Sequence, residues 1–106
     1  MTVLCGANSY EQKYYFNPAF EKLPQQVKDE LQIMCVKFTE EVGGTLLVEF
    51  DDSGNLNLTT QVDDGDYLYD DIECGIQISR LQREKEELFE QLELFRRLTQ
   101  KPASQA

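Results

Sequence analysis

The sequence predicts an α+β fold: a small antiparallel sheet packed on one mid-chain helix and one long C-terminal helix. Three observations predict it. Residues 45–62 alternate apolar and polar side chains on either side of an Asp51-Asp52-Ser53-Gly54-Asn55 turn, the pattern of a hairpin with one greasy face. Residues 24–42 carry apolar side chains three and four apart, the spacing of one helical face. From about Asp70 to Thr99, Cys74, Ile78, Leu81, Lys85, Leu88, Leu92 and Phe95 follow alternating spacings of four and three, which are heptad seam positions.

The elements follow in chain order. Thr2-Val3-Leu4-Cys5 is a short run of strand formers, and Gly6-Ala7-Asn8-Ser9 reads as a turn. Tyr10, Gln12, Tyr14 and Phe16 then alternate with Glu11, Lys13 and Tyr15, so the two runs are expected to pair as N-terminal strands. Asn17-Pro18 opens a tight turn. Pro24 sits in the first turn of the mid-chain helix, where its missing N–H costs nothing, and Val27, Leu31, Met34, Cys35, Phe38 and Val42 form its core face. Gly43-Gly44 ends that helix. In the hairpin, Leu46, Val48 and Phe50 face one way, and Leu56, Leu58, Thr60 and Val62 continue the alternation. Gly75 is the residue that would mark a kink in the long helix, and Glu93 with Arg97 would pair across one turn. Residues 1–99 read as a single domain, and 100–106 as a disordered tail.

Composition narrows function by exclusion. With 20 acids against 10 bases the net charge is −10, the wrong sign for nucleic acid or an anionic membrane. No apolar run reaches the roughly 18 residues of a membrane span, and the N-terminus has neither the positive charge nor the apolar stretch of a secretory signal. Three widely spaced cysteines, Cys5, Cys35 and Cys74, fit reduced thiols of a cytoplasmic protein rather than a disulfide framework or a zinc site. Histidine is absent, which removes the commonest general base and metal ligand, so the expectation leans away from an enzyme.

The remaining candidates are few. Asp63, Asp64, Asp66, Asp70, Asp71 and Glu73 form an acidic cluster, and Asp64, Asp66 and Asp70 are its candidate ligands for a divalent cation. Leu68 stands where a calcium loop needs an oxygen donor, and carboxylates before a helix are explained by its dipole. Cys5 as a nucleophile lacks a base to activate it. Tyr10, Tyr14, Tyr15, Phe16 and Phe20 form either core or a face for a flat ligand. No phosphate-loop pattern occurs, and no cofactor is implied.

Leu4 to Tyr10, Lys13-Tyr14-Tyr15, Met34-Cys35-Val36, Glu41-Val42-Gly43-Gly44, Tyr69-Asp70-Asp71-Ile72 and Leu81 to Leu88 together resemble a family of small bacterial proteins classed as a domain of unknown function. The resemblance runs over most of residues 4–98 and implies a bacterial cytoplasmic protein, with no site to carry over. A looser similarity, of fold alone, is to the JAB/MPN-like deubiquitinases, through a helix ending in Glu41-Val42-Gly43-Gly44 before a strand. That family's zinc ligands include a histidine pair, which this chain lacks.

A straight helix of thirty residues would span about 45 Å, longer than a domain of this size is wide. The expectation is therefore that residues 81–98 reach a second copy or a protein partner, with Leu81, Lys85, Leu88, Leu92 and Phe95 at the interface. A bent helix wrapped on its own core is the alternative. The function expected is a non-enzymatic interaction or regulatory protein assembling through the long helix. The runner-up is a small-molecule or metal-binding protein using the acidic loop 63–73 and nearby tyrosines.

Overall fold

Strand β1 (Thr2–Asn8) lies inside the sheet, paired on both sides. The computed structural model describes residues 2–66 and 69–99. β1 turns back into β2 (Lys13–Phe16), and a short 3-10 turn (Pro18–Phe20) leads to α1 (Gln25–Val42). The hairpin β3 (Thr45–Phe50) and β4 (Leu56–Gln61) follows, then α2 (Asp71–Glu84) and α3 (Glu86–Thr99). The sheet order is β2-β1-β3-β4, and every pair is antiparallel.

β1 is longer than the sequence suggests, and Gly6 to Asn8 belong to it rather than to a turn. Gly6 pairs with Tyr15 on one side and Leu47 on the other. The Leu47 side chain lies so close over Gly6 that a Cβ there would sit 2.6 Å from Leu47 Cδ2 and 2.8 Å from the Leu46 carbonyl oxygen. Glycine at this position is a requirement of strand packing. At the end of α1, Gly44 takes φ +73°, and a Cβ would meet the Gln61 carbonyl oxygen at 2.6 Å. The carbonyl of Gly44 accepts from both the backbone N–H and the hydroxyl of Ser9, which closes the β1–β2 turn onto the helix terminus.

All three helices contribute to one core against one face of the sheet. Leu4, Cys5 and Ala7 of β1, Leu46, Val48 and Phe50 of β3, and Leu31, Met34, Cys35 and Phe38 of α1 are buried together. Residues 71–99 do not form one straight helix. The backbone leaves helical geometry at Lys85 (φ −109°, ψ 16°), ten residues beyond Gly75, which lies inside α2. The Lys85 N–H still donates to the Leu81 carbonyl, and the Lys85 carbonyl still accepts from Phe89. Lys85 Nζ meets Glu30 Oε1 of α1 at 3.0 Å. The pair is partly exposed and worth at most about 1 kcal/mol, so the bend follows mainly from the packing of the two halves.

That bend turns the heptad seam inward. Leu88 and Leu92 are buried in the chain's own core, Leu81 and Phe95 pack against it, and Lys85 is occupied by Glu30. The five residues expected at an interface therefore line an intramolecular seam, because a bent pair of helices wraps a core that one straight helix would overshoot. Nor does Glu93 pair with Arg97. Glu93 Oε2 accepts from the Leu56 N–H at 2.8 Å, and Arg97 donates to Asn55 Oδ1 at 2.7 Å. Arg96 lies 5.5 Å over the Phe20 ring and 5.8 Å over the Phe50 ring, and donates to the Thr2 hydroxyl. Through these contacts α3 holds the start of β4 and the start of β1. The expected tail, residues 100–106, lies outside the described residues.

Replacing Leu92 with alanine removes packing at the meeting point of α3 and the sheet. It should lower the free energy of unfolding by about 2–5 kcal/mol, read as a shifted midpoint in urea. Leu88→Asp with Leu92→Asp should abolish the folded far-ultraviolet signal rather than leave a folded monomer.

Candidate interaction surface

Helix α2 starts because Asp70 caps it. The Asp70 carboxylate accepts from the Ile72 and Glu73 N–H groups at 2.9 and 3.2 Å, satisfying two of the donors a helix start leaves open. Its inner face is Cys74, Ile78 and Leu81, packed on the core. At 100° per residue that packing rotates Ile72, Ile76, Ser79 and Arg83 to the opposite side. Ile72 is 77% exposed and Ile76 is 50% exposed. α2 thus buries one apolar face in its own chain and carries two exposed isoleucines, beside Ser79 and Arg83, on the opposite side. Gly75 borders the outer face, and a Cβ there would meet nothing within 4 Å, so no packing within this chain requires glycine at that point. On α3, Leu94 and Leu98 stand one turn apart and are 56% and 76% exposed. These two, and not Leu88 or Leu92, are the accessible apolar residues of the segment 81–98.

The sequence contained this signal in Ile72 and Ile76, one turn apart and out of phase with the seam through Cys74, Ile78 and Leu81. Reading α2 for a single seam passes over it. A groove of about 560 Å³ also runs between α1 and α2, floored by Met34, Phe38 and Leu81 and rimmed by charges of both signs.

The other candidates disperse. Asp64, Asp66 and Asp70 do not converge: Asp70 is spent on the cap, and Asp66 accepts from the Tyr10 hydroxyl at 2.6 Å. Tyr10 also accepts from the Asp63 N–H at 3.1 Å, so it ties the acidic loop to the β1–β2 turn. Its hydrogen bond to Asp66 raises its phenol above the ordinary value. Among the described residues no three cysteine or carboxylate side chains are grouped to hold a metal ion. The aromatic cluster is split as well. Tyr14 and Phe16 pack toward the core, Phe20 stacks on Phe50 at 5.6 Å, and Tyr15 points to solvent.

Cys5 and Cys35 bring their sulfurs within 3.9 Å across the β1–α1 contact, both fully buried. Hydrogen bonding to Cys5, and then burial, hold the Cys35 thiol well above its usual range. The same contact works the other way at Cys5 and lowers it. The Tyr14 hydroxyl is enclosed without a well-formed hydrogen bond, and burial raises its phenol too. An enclosed pair of this kind packs helix to strand and offers no accessible nucleophile.

The geometry defines a class: a small two-layer α+β domain whose helices cover one sheet face, with Ile72 and Ile76 exposed on the outer side of α2. The chain belongs to the family of unknown function DUF6145, whose model matches residues 1–103. No curated protein and no solved structure matches it, and the looser likeness to the JAB/MPN-like fold finds no support. No described helix is long and apolar enough to cross a membrane.

Two measurements check this description. Gly75→Ala should raise stability by about 0.5–1 kcal/mol, since it removes the backbone entropy cost of a helical glycine and clashes with nothing. The Tyr69 phenol, close to Gly44, is pushed up to about 12 by burial, with Cys74 adding and Thr60 opposing. Because the folded value lies above the unfolded one near 10, its contribution is complete below pH 10 and falls as pH rises from 10 to 12. Tyr69→Phe should therefore flatten the alkaline decline of the melting temperature relative to wild type.

Proposed function

We propose that this is a non-enzymatic bacterial cytoplasmic protein that works by docking through the outer faces of its C-terminal helices α2 and α3. The observation that carries the reading is the pair Ile72 and Ile76 on α2, open to solvent on the side opposite the core. Scattered exposed apolar residues need no explanation, but a pair in phase on one helix is the form taken by helix docking sites. Three unpaired thiols fit a reducing compartment.

The test is a capture experiment with two tagged chains, wild type and Ile72→Asp with Ile76→Asp. Surface changes of this kind should alter stability by no more than about 0.5 kcal/mol, which a urea titration confirms first. A bound protein, whether a second copy or another chain, should be recovered from host lysate with wild type and lost with the variant. Equal recovery with both chains, or none with either, overturns the reading.

A further inference from the structure

We propose that the occupant of the α2 outer face is a second copy of this chain, packed antiparallel across a two-fold axis so that Glu73 of each copy meets Arg80 of the other. The proposal rests on the reading of α2 as an interaction surface and adds what that surface takes.

Charge decides both the partner and its direction. Each chain carries a net charge of −10, so two copies repel unless they meet where charge is balanced. The outer face meets that condition: Ile72, Gly75, Ile76, Ser79 and Gln82 are neutral, and Arg83 offsets Glu86. Glu73 and Arg80 are seven residues apart and lie on one flank of the face, with Arg83 beside them. In an antiparallel helix pair, like flanks meet with their order reversed. Glu73 of one copy then lies beside Arg80 and Arg83 of the other, and symmetry makes the contact twice. A parallel two-fold pair brings unlike flanks together instead, and would set Glu73 and Arg80 beside the flank of Gly75 and Gln82, which carries no counterpart to the Glu73–Arg80 pair. Gln77 Nε2 donates to Glu73 Oε1 at 2.8 Å, which holds the carboxylate on that flank. Antiparallel packing also opposes the two helix dipoles.

From Ile72 to Arg83 the contact would run about 16 Å. A surface that short buries less than the roughly 800 Å² per partner of a standard interface. The dimer should therefore be weak and concentration-dependent.

The experiment is sedimentation equilibrium of the purified full chain from micromolar to millimolar concentration, with circular dichroism to confirm each variant's fold. Wild type should rise from 12.3 kDa toward twice that mass. Arg80→Glu alone and Glu73→Arg alone should each weaken association by about tenfold or more, since like charges then face each other twice. The two together should restore it to near the wild-type value, because the pair is re-formed with its signs exchanged. A wild-type chain that stays at 12.3 kDa to millimolar concentration overturns the proposal, as does a dimer that neither reversal weakens or that the double reversal fails to rescue. If the purified chain is monomeric while lysate capture still depends on Ile72 and Ile76, this inference falls and the broader reading of the face stands.

Discussion

The pairing of β1 with β3 is the constraint on which the rest of the structure depends. Thr2 to Asn8 are matched to residues more than thirty positions away, from Phe50 back to Thr45. Without that pairing, the chain has two separate hairpins, each marginal alone. With it, Cys5 and Ala7 line up beside Val48 and Leu46 to make a single apolar floor. The register is held by Leu47 lying over Gly6, a contact no side chain could survive. The floor sets where α1 must lie, and the enclosed Cys5–Cys35 contact marks that junction.

The C-terminal helices close the other end of the same core. Arg96 covers Phe20 and Phe50 and reaches Thr2, while Glu93 takes the Leu56 N–H at the start of the edge strand. These contacts tie the last helix to the first strand. They also require the 71–99 segment to bend at Lys85, because α2 packs against α1 and α3 against the sheet. The bend commits one face of each helix inward and leaves the opposite face of α2 uncovered. The candidate surface is thus a by-product of how the core is closed.

Much of the fold was legible in the sequence. The alternation from Leu46 to Phe50, and the three-and-four spacing from Val27 to Val42, report which side of a strand or helix is buried, and local periodicity survives folding unchanged. The start of a helix near Asp70 was legible from the heptad spacing that follows it, whereas the role of Asp70 as its cap, in place of a cation ligand, emerged only from the structure. Gly6 was misread as a turn residue, because glycine marks both turns and close strand approaches. The break at Lys85 carries no proline or glycine, and its one local mark is that lysine interrupts the apolar seam, which does not by itself specify a bend.

The sequence by itself determined the class of fold, the boundaries of α1, β3 and β4 and the absence of histidine chemistry, all of which depend on composition or on neighbours a few residues away. Only the tertiary structure decided that β1 lies inside the sheet, and that Leu88 and Leu92 belong to the chain's own core. It likewise decided that Ile72 and Ile76 are the large apolar side chains left exposed on α2. The physical reason is that a heptad pattern specifies a stripe to be buried but not what buries it. Whether another chain or the rest of the same chain covers the stripe is settled by long-range packing, which local spacing does not encode.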